Sequence, residues 1–279
     1  MNAIKTTMLL AALTGLFLVI GFLIGGQVGL IIAFGLAAAL NFFAYWSSDK
    51  LALRMASARE VSMQDAPKLH SIVEEIAAQS GVPKPRVYII ENDTPNAFAT
   101  GRNPQHAAVA VTAGIMNLLD ERELRGVLGH ELGHVKNRDI LTSSIVATLA
   151  GAISMLAWMS LFFRNSRSSY SGLISLVAWL VAPLAAGLIQ AGISRTREFQ
   201  ADRTGAEVTH DPEALASALE KLHQGVQARP MTDTPFAQST AHLFIVHPFS
   251  AGGLTNLFST HPPIEERVRR LREMAYPGA

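Results

Sequence analysis

The sequence contains no cysteine among its 279 residues. This absence excludes disulfide scaffolds, thiol nucleophiles, iron–sulfur clusters and every zinc site that needs a cysteine. Any bound metal must therefore be held by His, Asp or Glu. Charged residues are also scarce, at 16% of the chain against about 25% in an ordinary soluble domain. The formal net charge is only +1, so we predict no nucleic-acid partner, because such binding usually needs a basic excess.

A long uncharged run fills the N-terminal part of the chain. Residues 6–48 are 43 consecutive positions without Asp, Glu, Lys or Arg. A membrane-spanning helix needs about 20 apolar residues, so this run is long enough for two. We predict a helical hairpin made of Thr7–Ile24 and Val28–Trp46, with its turn near Gly25 and Gly26.

Two further uncharged runs lie in the second half of the chain. They are Ile140–Phe163, with 24 residues, and Ser168–Ser194, with 27 residues. Each is long enough to span a bilayer, so we predict four transmembrane helices and a lipid bilayer as the protein's surroundings. The fold class is predicted to be a mainly α membrane protein with a small α+β domain.

Each pair of apolar runs has an alternative interpretation. The first could be a signal peptide with Lys5 as its charged n-region and Ala37–Ala39 as its cleavage site, but the apolar core of a signal peptide has only about 7–15 residues. The second pair could be a buried hairpin inside a soluble core, although buried helices are usually shorter than these runs.

Lys and Arg concentrate at the two ends of the first hairpin and are absent from its tip. Positive residues near span ends favour the cytoplasmic side, so both ends are expected there. Arg164 and Arg167, at the tip of the second hairpin, weakly favour the opposite orientation. The chain then divides into transmembrane hairpins at residues 1–50 and 140–194 and cytoplasmic catalytic regions at residues 51–139 and 195–279.

The regions between the spans have patterns typical of an α+β domain. Asp120 and Glu123 form a capping-box pattern that predicts a helix start, and nothing breaks this helix before the third apolar run. We therefore expect it to continue into the membrane. The other predicted elements are helices at Asp65–Ser80, Thr196–Val208, Glu213–Gln224 and Ile264–Ala275 and strands at Arg86–Ile90 and Ala107–Thr112.

The strongest chemical signal is the motif His130-Glu131-Leu132-Gly133-His134. Two His four residues apart on a helix point the same way and can hold one Zn²⁺. Glu131 lies beside them, where it can take a proton from a water molecule. Random order would give this pattern roughly once in seventy chains of this composition. The alternative is a polar helix face with two unremarkable His.

A catalytic zinc site usually has three protein ligands. A third His close behind His134 is absent, so we predict a distant carboxylate, and Glu198 is the best candidate because it begins a helix just after a predicted span. Asp202 lies four residues later on the same helix face, where it can orient a ligating His. Taken alone, such a pair of carboxylates is more typical of a solvated helix face.

Four segments resemble the HtpX-like membrane zinc metallopeptidases, which are related to the CAAX prenyl endopeptidases. The matching segments are Pro95–Gly101, His130–His134, Ser194–Asp202 and Thr260–Pro263. The resemblance extends over nearly the whole chain and is weakest at residues 225–259. It implies a gluzincin-type catalytic domain with one Zn²⁺ per chain. It also implies a cytoplasm-facing enzyme of the bacterial inner membrane that acts in stress response and protein quality control.

The resemblance also implies roles on which spacing alone is silent. Asn96, Ala97, Phe98 and Ala99 would form an edge strand that binds the substrate backbone. His261 would stabilise the oxyanion, and Arg267 would pair with the carboxylates around the metal. The substrates would be misfolded or damaged membrane proteins.

Two other functions compete with this one. A non-enzymatic assembly factor or transporter could carry the zinc motif by chance, but the intact Glu131 argues against an inactive protein. The predicted spans also lack the buried charges that transport pathways often use. A specific processing protease of the CAAX type is the second alternative. We favour broad specificity, because four spans make too small an enclosure for a large internal chamber.

Overall fold

The computed structural model describes residues 2–145, 195–228, 230, 244–246 and 262–276. The predicted span Ser168–Ser194 lies outside these residues, and Ile140–Phe163 is described only as far as residue 145. The helices are α1 (Asn2–Met55), α2 (Pro67–Ser80), α3 (Ala113–Leu118), α4 (Glu121–Lys136), α5 (Arg195–Thr209), α6 (Pro212–Ala228) and α7 (Ile264–Ala275). The strands are β1 (Arg59–Glu60), β2 (Arg86–Ile90), β3 (Ala97–Thr100) and β4 (Ala108–Thr112).

Helix α1 consists of two arms that fold back on each other. Its backbone leaves helical geometry at Gly25 and Gly26, and Gly26 has φ 57° and ψ −137°, which a glycine adopts without steric penalty. This interruption lies where the sequence predicts the turn. Farther along the arms, the Asn41 side-chain amide donates a hydrogen bond to the Thr14 hydroxyl at 2.8 Å. This contact between positions 27 residues apart shows that the arms run side by side.

Among the described residues, one helical stretch is long and apolar enough to cross a membrane. It is Gly25–Ser47, in the second arm of α1. Its large apolar side chains are exposed, as expected of a surface that faces lipid: Val28, Ile31, Ile32, Phe34, Leu36, Phe42, Phe43 and Trp46. The total of four spans stays a prediction.

The four strands form one mixed sheet in the order β1-β2-β4-β3. Strand β4 lies inside the sheet and is fully buried, which suits its sequence of alternating Ala and Val. Strand β3 pairs with β4 on one side only, antiparallel, with Ala97 opposite Val111 and Ala99 opposite Val109. Within the part of the chain that the structure describes, β3 is therefore an edge strand, and no other strand pairs with its second side.

Helix α4 lies at the centre of the helical layer and contacts β3, α2, α5 and α6. It begins with the predicted capping box, because the Asp120 carboxylate accepts from the Glu123 N–H and the Glu123 carboxylate from the Asp120 N–H. The core that surrounds it joins apolar side chains from the sheet and the helices, among them Ile76, Val109, Leu128, Leu132, Leu215, Leu219 and Leu271.

The expectation that α4 continues into the third apolar run is wrong. The helix ends at Lys136, Arg138 has a positive φ of 57°, and helical geometry resumes only at residues 140–145. Asn137 and Asp139 provide the physical reason, because their short polar side chains favour turns and caps over helix interiors. The turn also brings Asp139 back to the last turn of α4, where its backbone N–H donates to the His134 carbonyl at 3.2 Å.

Candidate metal centre

The three predicted metal ligands meet between α4 and α5. The Nε2 atoms of His130 and His134 are 3.2 Å apart. Glu198 places one carboxylate oxygen 3.8 Å from the first and the other 3.7 Å from the second. In a tetrahedral site with bonds of about 2.1 Å, ligand atoms are about 3.4 Å apart. The donor set and its spacing therefore fit a zinc ion.

Each histidine is held by an aspartate on the side away from this point. The Nδ1 atom of His130 lies 2.8 Å from Asp202, and that of His134 lies 3.1 Å from Asp139. Such contacts fix the ring orientation and direct the Nε2 lone pair towards a metal. The structure thus places Asp202 where the sequence predicts it and adds Asp139, which sequence analysis missed. Only the turn-forming polar residues at 137–139 could have signalled it.

Arg267 enters the site from α7 and is completely buried. Its guanidinium donates to the two oxygens of Asp202 at 2.8 and 2.6 Å and to the Ile245 carbonyl at 2.9 Å. Burial alone would raise the pKa of Asp202, but Arg267 and His130 outweigh burial and lower it to about 2. Arg267 therefore acts through Asp202 on His130, as a positioning residue.

A second buried arginine, Arg197, adjoins the same centre. Burial lowers the pKa of its guanidinium, and the charges of Asp139 and Glu198 oppose this effect. The two arginines thus balance part of the negative charge that Asp139, Glu198 and Asp202 bring into the site.

Glu131 lies between the histidines and the edge strand. Its carboxylate accepts a hydrogen bond from the Ala99 N–H at 2.8 Å. Burial raises the pKa of Glu131 to about 8, and the neighbouring Glu198 adds to this shift. In the metal-free centre the carboxylate of Glu131 is therefore a stronger base than that of a free glutamate.

The two histidines respond differently to the same surroundings. Burial lowers the pKa of His130, which favours the neutral ring. Burial also lowers that of His134, but the carboxylates of Asp139, Glu198 and Glu131 outweigh it and raise the pKa to about 10. The centre therefore attracts positive charge, and a divalent cation would supply it.

A cavity of about 40 Å³ lies beside these groups, with room for about one water molecule. Its walls include Phe98, Ala99, Ile140 and Phe244. A larger cavity of about 760 Å³ between α6 and α7 contains neither the histidines nor Glu198. The chemistry of the lining residues, rather than cavity size, marks the site.

The remaining predicted residues have different positions. Ala97 and Phe98 lie in the edge strand with Ala99. Asn96 is buried just before this strand, and its side-chain oxygen accepts a hydrogen bond from the Ile245 N–H at 3.2 Å. It thus ties residues 244–246 to β3. His261 lies outside the described residues, and its role at the oxyanion stays a prediction.

Comparison with known proteins supports the same chemistry. Residues 63–275 match the profile of Peptidase family M48. A "Protease HtpX homolog" from Persephonella marina (strain DSM 14350 / EX-H1) is 55% identical over 282 residues, which cover 99% of this chain and 98% of the relative. Another from Paraburkholderia phytofirmans (strain DSM 17436 / LMG 22146 / PsJN) is 53% identical over 281 residues, with the same coverage.

A solved structure shows the same fold. The crystal structure of S. mikatae Ste24p matches with a TM-score of 0.52 and 18% sequence identity over 97% of this chain. This chain spans 65% of that protein. The full-length relatives confirm the resemblance to HtpX-like proteases and the prediction of a hydrolase, and the chain belongs to Peptidase family M48.

Proposed function

We propose that this protein is a zinc-dependent endopeptidase that cuts membrane-protein segments at the cytoplasmic surface of the bacterial inner membrane. One observation carries the proposal. A His-His-Glu metal centre and the buried Glu131 face the free edge of β3, and Glu131 already contacts the backbone of that edge at Ala99.

The edge strand suits a substrate in extended conformation. The Thr112 N–H donates to the Asn96 carbonyl, and bonded and non-bonded pairs alternate along antiparallel strands. Ala97 and Ala99 therefore direct their backbone groups away from β4, towards the free side. A polypeptide that adds to this side gains backbone hydrogen bonds whatever its side chains are. Broad specificity, as quality control of damaged proteins requires, follows from this mode of binding.

Substrate binding would also prepare the base. A substrate strand paired with Ala99 takes over the N–H that now binds Glu131, which frees the carboxylate. Glu131 can then remove a proton from the attacking water and return it to the leaving amine.

The other residues of the centre hold this arrangement in place. A zinc ion bound by His130, His134 and Glu198 would polarise the scissile carbonyl and lower the pKa of water. Asp202 and Asp139 keep the imidazoles oriented, and Arg267 keeps Asp202 charged. The set of two His and one Glu is a donor set of catalytic zinc sites. Amide hydrolysis can then proceed without a covalent intermediate.

The test uses the full-length protein in detergent, with zinc content and hydrolysis of quenched fluorescent casein as the two readouts. The wild type should hold about one zinc per chain and lose activity to a chelator. Glu131→Gln should keep the zinc and lower turnover by at least about 10²-fold, because only the base is lost. Glu198→Ala should lose both metal and activity.

Glu207→Ala is the matched control for Glu198→Ala. Glu207 lies on the same helix, but its side chain is 57% exposed and pairs with Arg203. This variant should keep wild-type zinc content and activity. Near-normal turnover of Glu131→Gln, or a wild type without metal, would overturn the proposal.

A further inference from the structure

The end of the candidate span gives a level for the membrane surface. Gly25–Ser47 is the apolar stretch of the second arm of α1. Tyr45 and Trp46 lie at its C-terminal end and are exposed. Aromatic residues at this position of a span settle at the interface between lipid and water. Trp46 therefore marks the membrane surface in this molecule.

The edge strand leads directly to this level. Arg102 follows β3, and its guanidinium lies 4.8 Å from the centroid of the Trp46 ring. Ala99, whose N–H binds Glu131, precedes Arg102 by only three residues. A chain spans at most about 3.6 Å per residue, so at most about 11 Å of backbone separates the catalytic level from the residue in contact with Trp46.

Helix α1 gives an independent measure of the same distance. Leu53 packs in one apolar cluster with Phe98 of the edge strand. Trp46 precedes Leu53 by seven residues, which is about 10 Å along an α-helix at 1.5 Å per residue. The α1 route therefore gives about 10 Å between Trp46 and the level of the edge strand, and the β3 route limits the backbone from Ala99 to Arg102 to about 11 Å.

The third apolar run touches the same end of β3. The Ser144 hydroxyl lies 2.7 Å from that of Thr100 and accepts from the Gly101 N–H at 3.3 Å. Ile140 and Ser143, from the start of that run, line the catalytic cavity. An uncharged segment thus begins at the cavity itself.

We infer that the enzyme selects extended segments directly next to a membrane-embedded helix and cuts within about three to five residues of its end. The inference rests on the proposed peptidase function. A substrate strand along Ala97 and Ala99 needs about three residues, at 3.3 Å each, to reach the level of Trp46. A site held far above the bilayer would require a longer connection.

The experiment measures the shortest tether that permits cleavage. Full-length enzyme is reconstituted in vesicles of phosphatidylethanolamine and phosphatidylglycerol with synthetic single-span peptides. Each carries one fluorogenic segment, joined to the span by a Gly/Ser tether of roughly two to twelve residues. One series places the segment after the span and one before it, and mass spectrometry locates the cut.

A cut located about three to five residues from the end of the span, in either series, is the expected result. Cleavage that begins only beyond about eight residues would overturn the inference, because the site would then lie higher above the bilayer. The same segment without a span is the reference. If the enzyme cuts the reference segment and the long-tether peptides but not the short-tether peptides, this inference fails and the proposed peptidase function stands. If no peptide is cut, the proposed function fails with it.

A double variant tests the structural reason. Trp46→Ala with Arg102→Gln removes the contact that holds the exit of β3 to the interface, and neither residue touches the catalytic groups. Cleavage of the shortest tethers should fall about two- to fivefold, the scale of one cation–π contact, while the reference segment is cut as before. Arg122→Gln, an exposed arginine paired with Asp211, is the matched control and should change neither rate. If the double variant cuts the shortest tethers as fast as the wild type does, the proposed role of this contact is contradicted.

Discussion

The two ligating histidines are supported by aspartates that are themselves held differently. Asp202 receives two hydrogen bonds from the buried Arg267. Asp139 contacts His134 through one oxygen, and its other oxygen, Oδ1, has no hydrogen-bond partner among the described residues. His130 therefore sits in a rigid chain of contacts, whereas the carboxylates of Asp139, Glu198 and Glu131 dominate the surroundings of His134.

This difference predicts a strong pH dependence of metal binding. The pKa of His134 is raised to about 10 in the metal-free protein, so the ring carries a proton at neutral pH and must lose it to bind a metal. Each zinc bound therefore releases at least one proton. Between about pH 6 and 8 the apparent Kd for zinc should fall at least about tenfold per pH unit. Competition with a chromophoric chelator measures this slope.

Asp139→Asn provides the control for that slope. The variant removes the first carboxylate that raises the pKa of His134, so the ring loses its proton at lower pH and the slope should flatten near neutrality. Asp202→Asn acts on His130 instead and should leave the slope in place. Identical slopes in wild type and Asp139→Asn would show that the released proton comes from another group.

Sequence alone could predict the site residues whose relationship is local. His130, Glu131 and His134 follow from helical spacing, because positions four apart share a face. Arg267 could be named only through family resemblance, since its contact with Asp202 spans 65 residues and depends on how α7 packs. The sequence does not predict the role of Asp139, because that role requires a helix end that the apolar pattern does not indicate.

At the scale of elements, the close approach of α4 and α5 positions the third ligand. Gly205 of α5 lies against α4 so closely that a Cβ atom there would be 2.6 Å from the His130 backbone nitrogen. Gly129 on α4 faces Gly205 in turn. Small residues at a helix crossing permit this short distance, and Glu198, two turns before Gly205, reaches the histidines because of it.

Gly205→Ala should therefore separate the helices and weaken the metal centre without altering any ligand. The backbone of α4 cannot yield as a flexible side chain could, so α5 must shift. We expect zinc affinity to fall by at least about tenfold, comparable with the loss of a residue that orients a ligand. Equilibrium dialysis against buffered zinc measures it. Gly35→Ala is the matched control, because a Cβ at this helical glycine meets nothing within 4 Å. If Gly205→Ala binds zinc as tightly as the wild type, the crossing of α4 and α5 accommodates the added methyl group and the prediction is wrong.

The element boundaries show what local signals can predict. A capping box predicts the start of α4 correctly, because it is a pattern of nearby residues with one structural solution. The sequence does not predict the end of α4, since the turn at residues 137–139 is stabilised by a contact with His134. The interruption of α1 was visible in the sequence as two consecutive glycines within an apolar run.

At the scale of the whole molecule, the catalytic centre restricts the membrane topology. Helices α4 and α5 pack directly on each other and supply ligands to one site. The described elements on either side of residues 146–194 therefore lie on the same side of the membrane, so the number of crossings between them must be even. Apolar length alone could not distinguish no crossing from two crossings, because a buried hairpin and a pair of spans have the same composition.

Single-cysteine labelling tests this topology, and the cysteine-free chain gives a clean background. Gln64→Cys and Arg203→Cys replace exposed residues in the two catalytic regions, and Gln27→Cys replaces an exposed residue at the hairpin tip. If α1 spans the membrane as a hairpin, a membrane-impermeant maleimide applied to intact cells should label residue 27 only. Residues 64 and 203 should react only after permeabilisation. Each is separated from the cytoplasmic N-terminus by complete hairpins, and each hairpin crosses the membrane twice. Retained proteolytic activity in each variant verifies the fold. Labelling of residue 203 from outside, with residue 64 protected, would place α5 opposite α4 and contradict the metal centre itself.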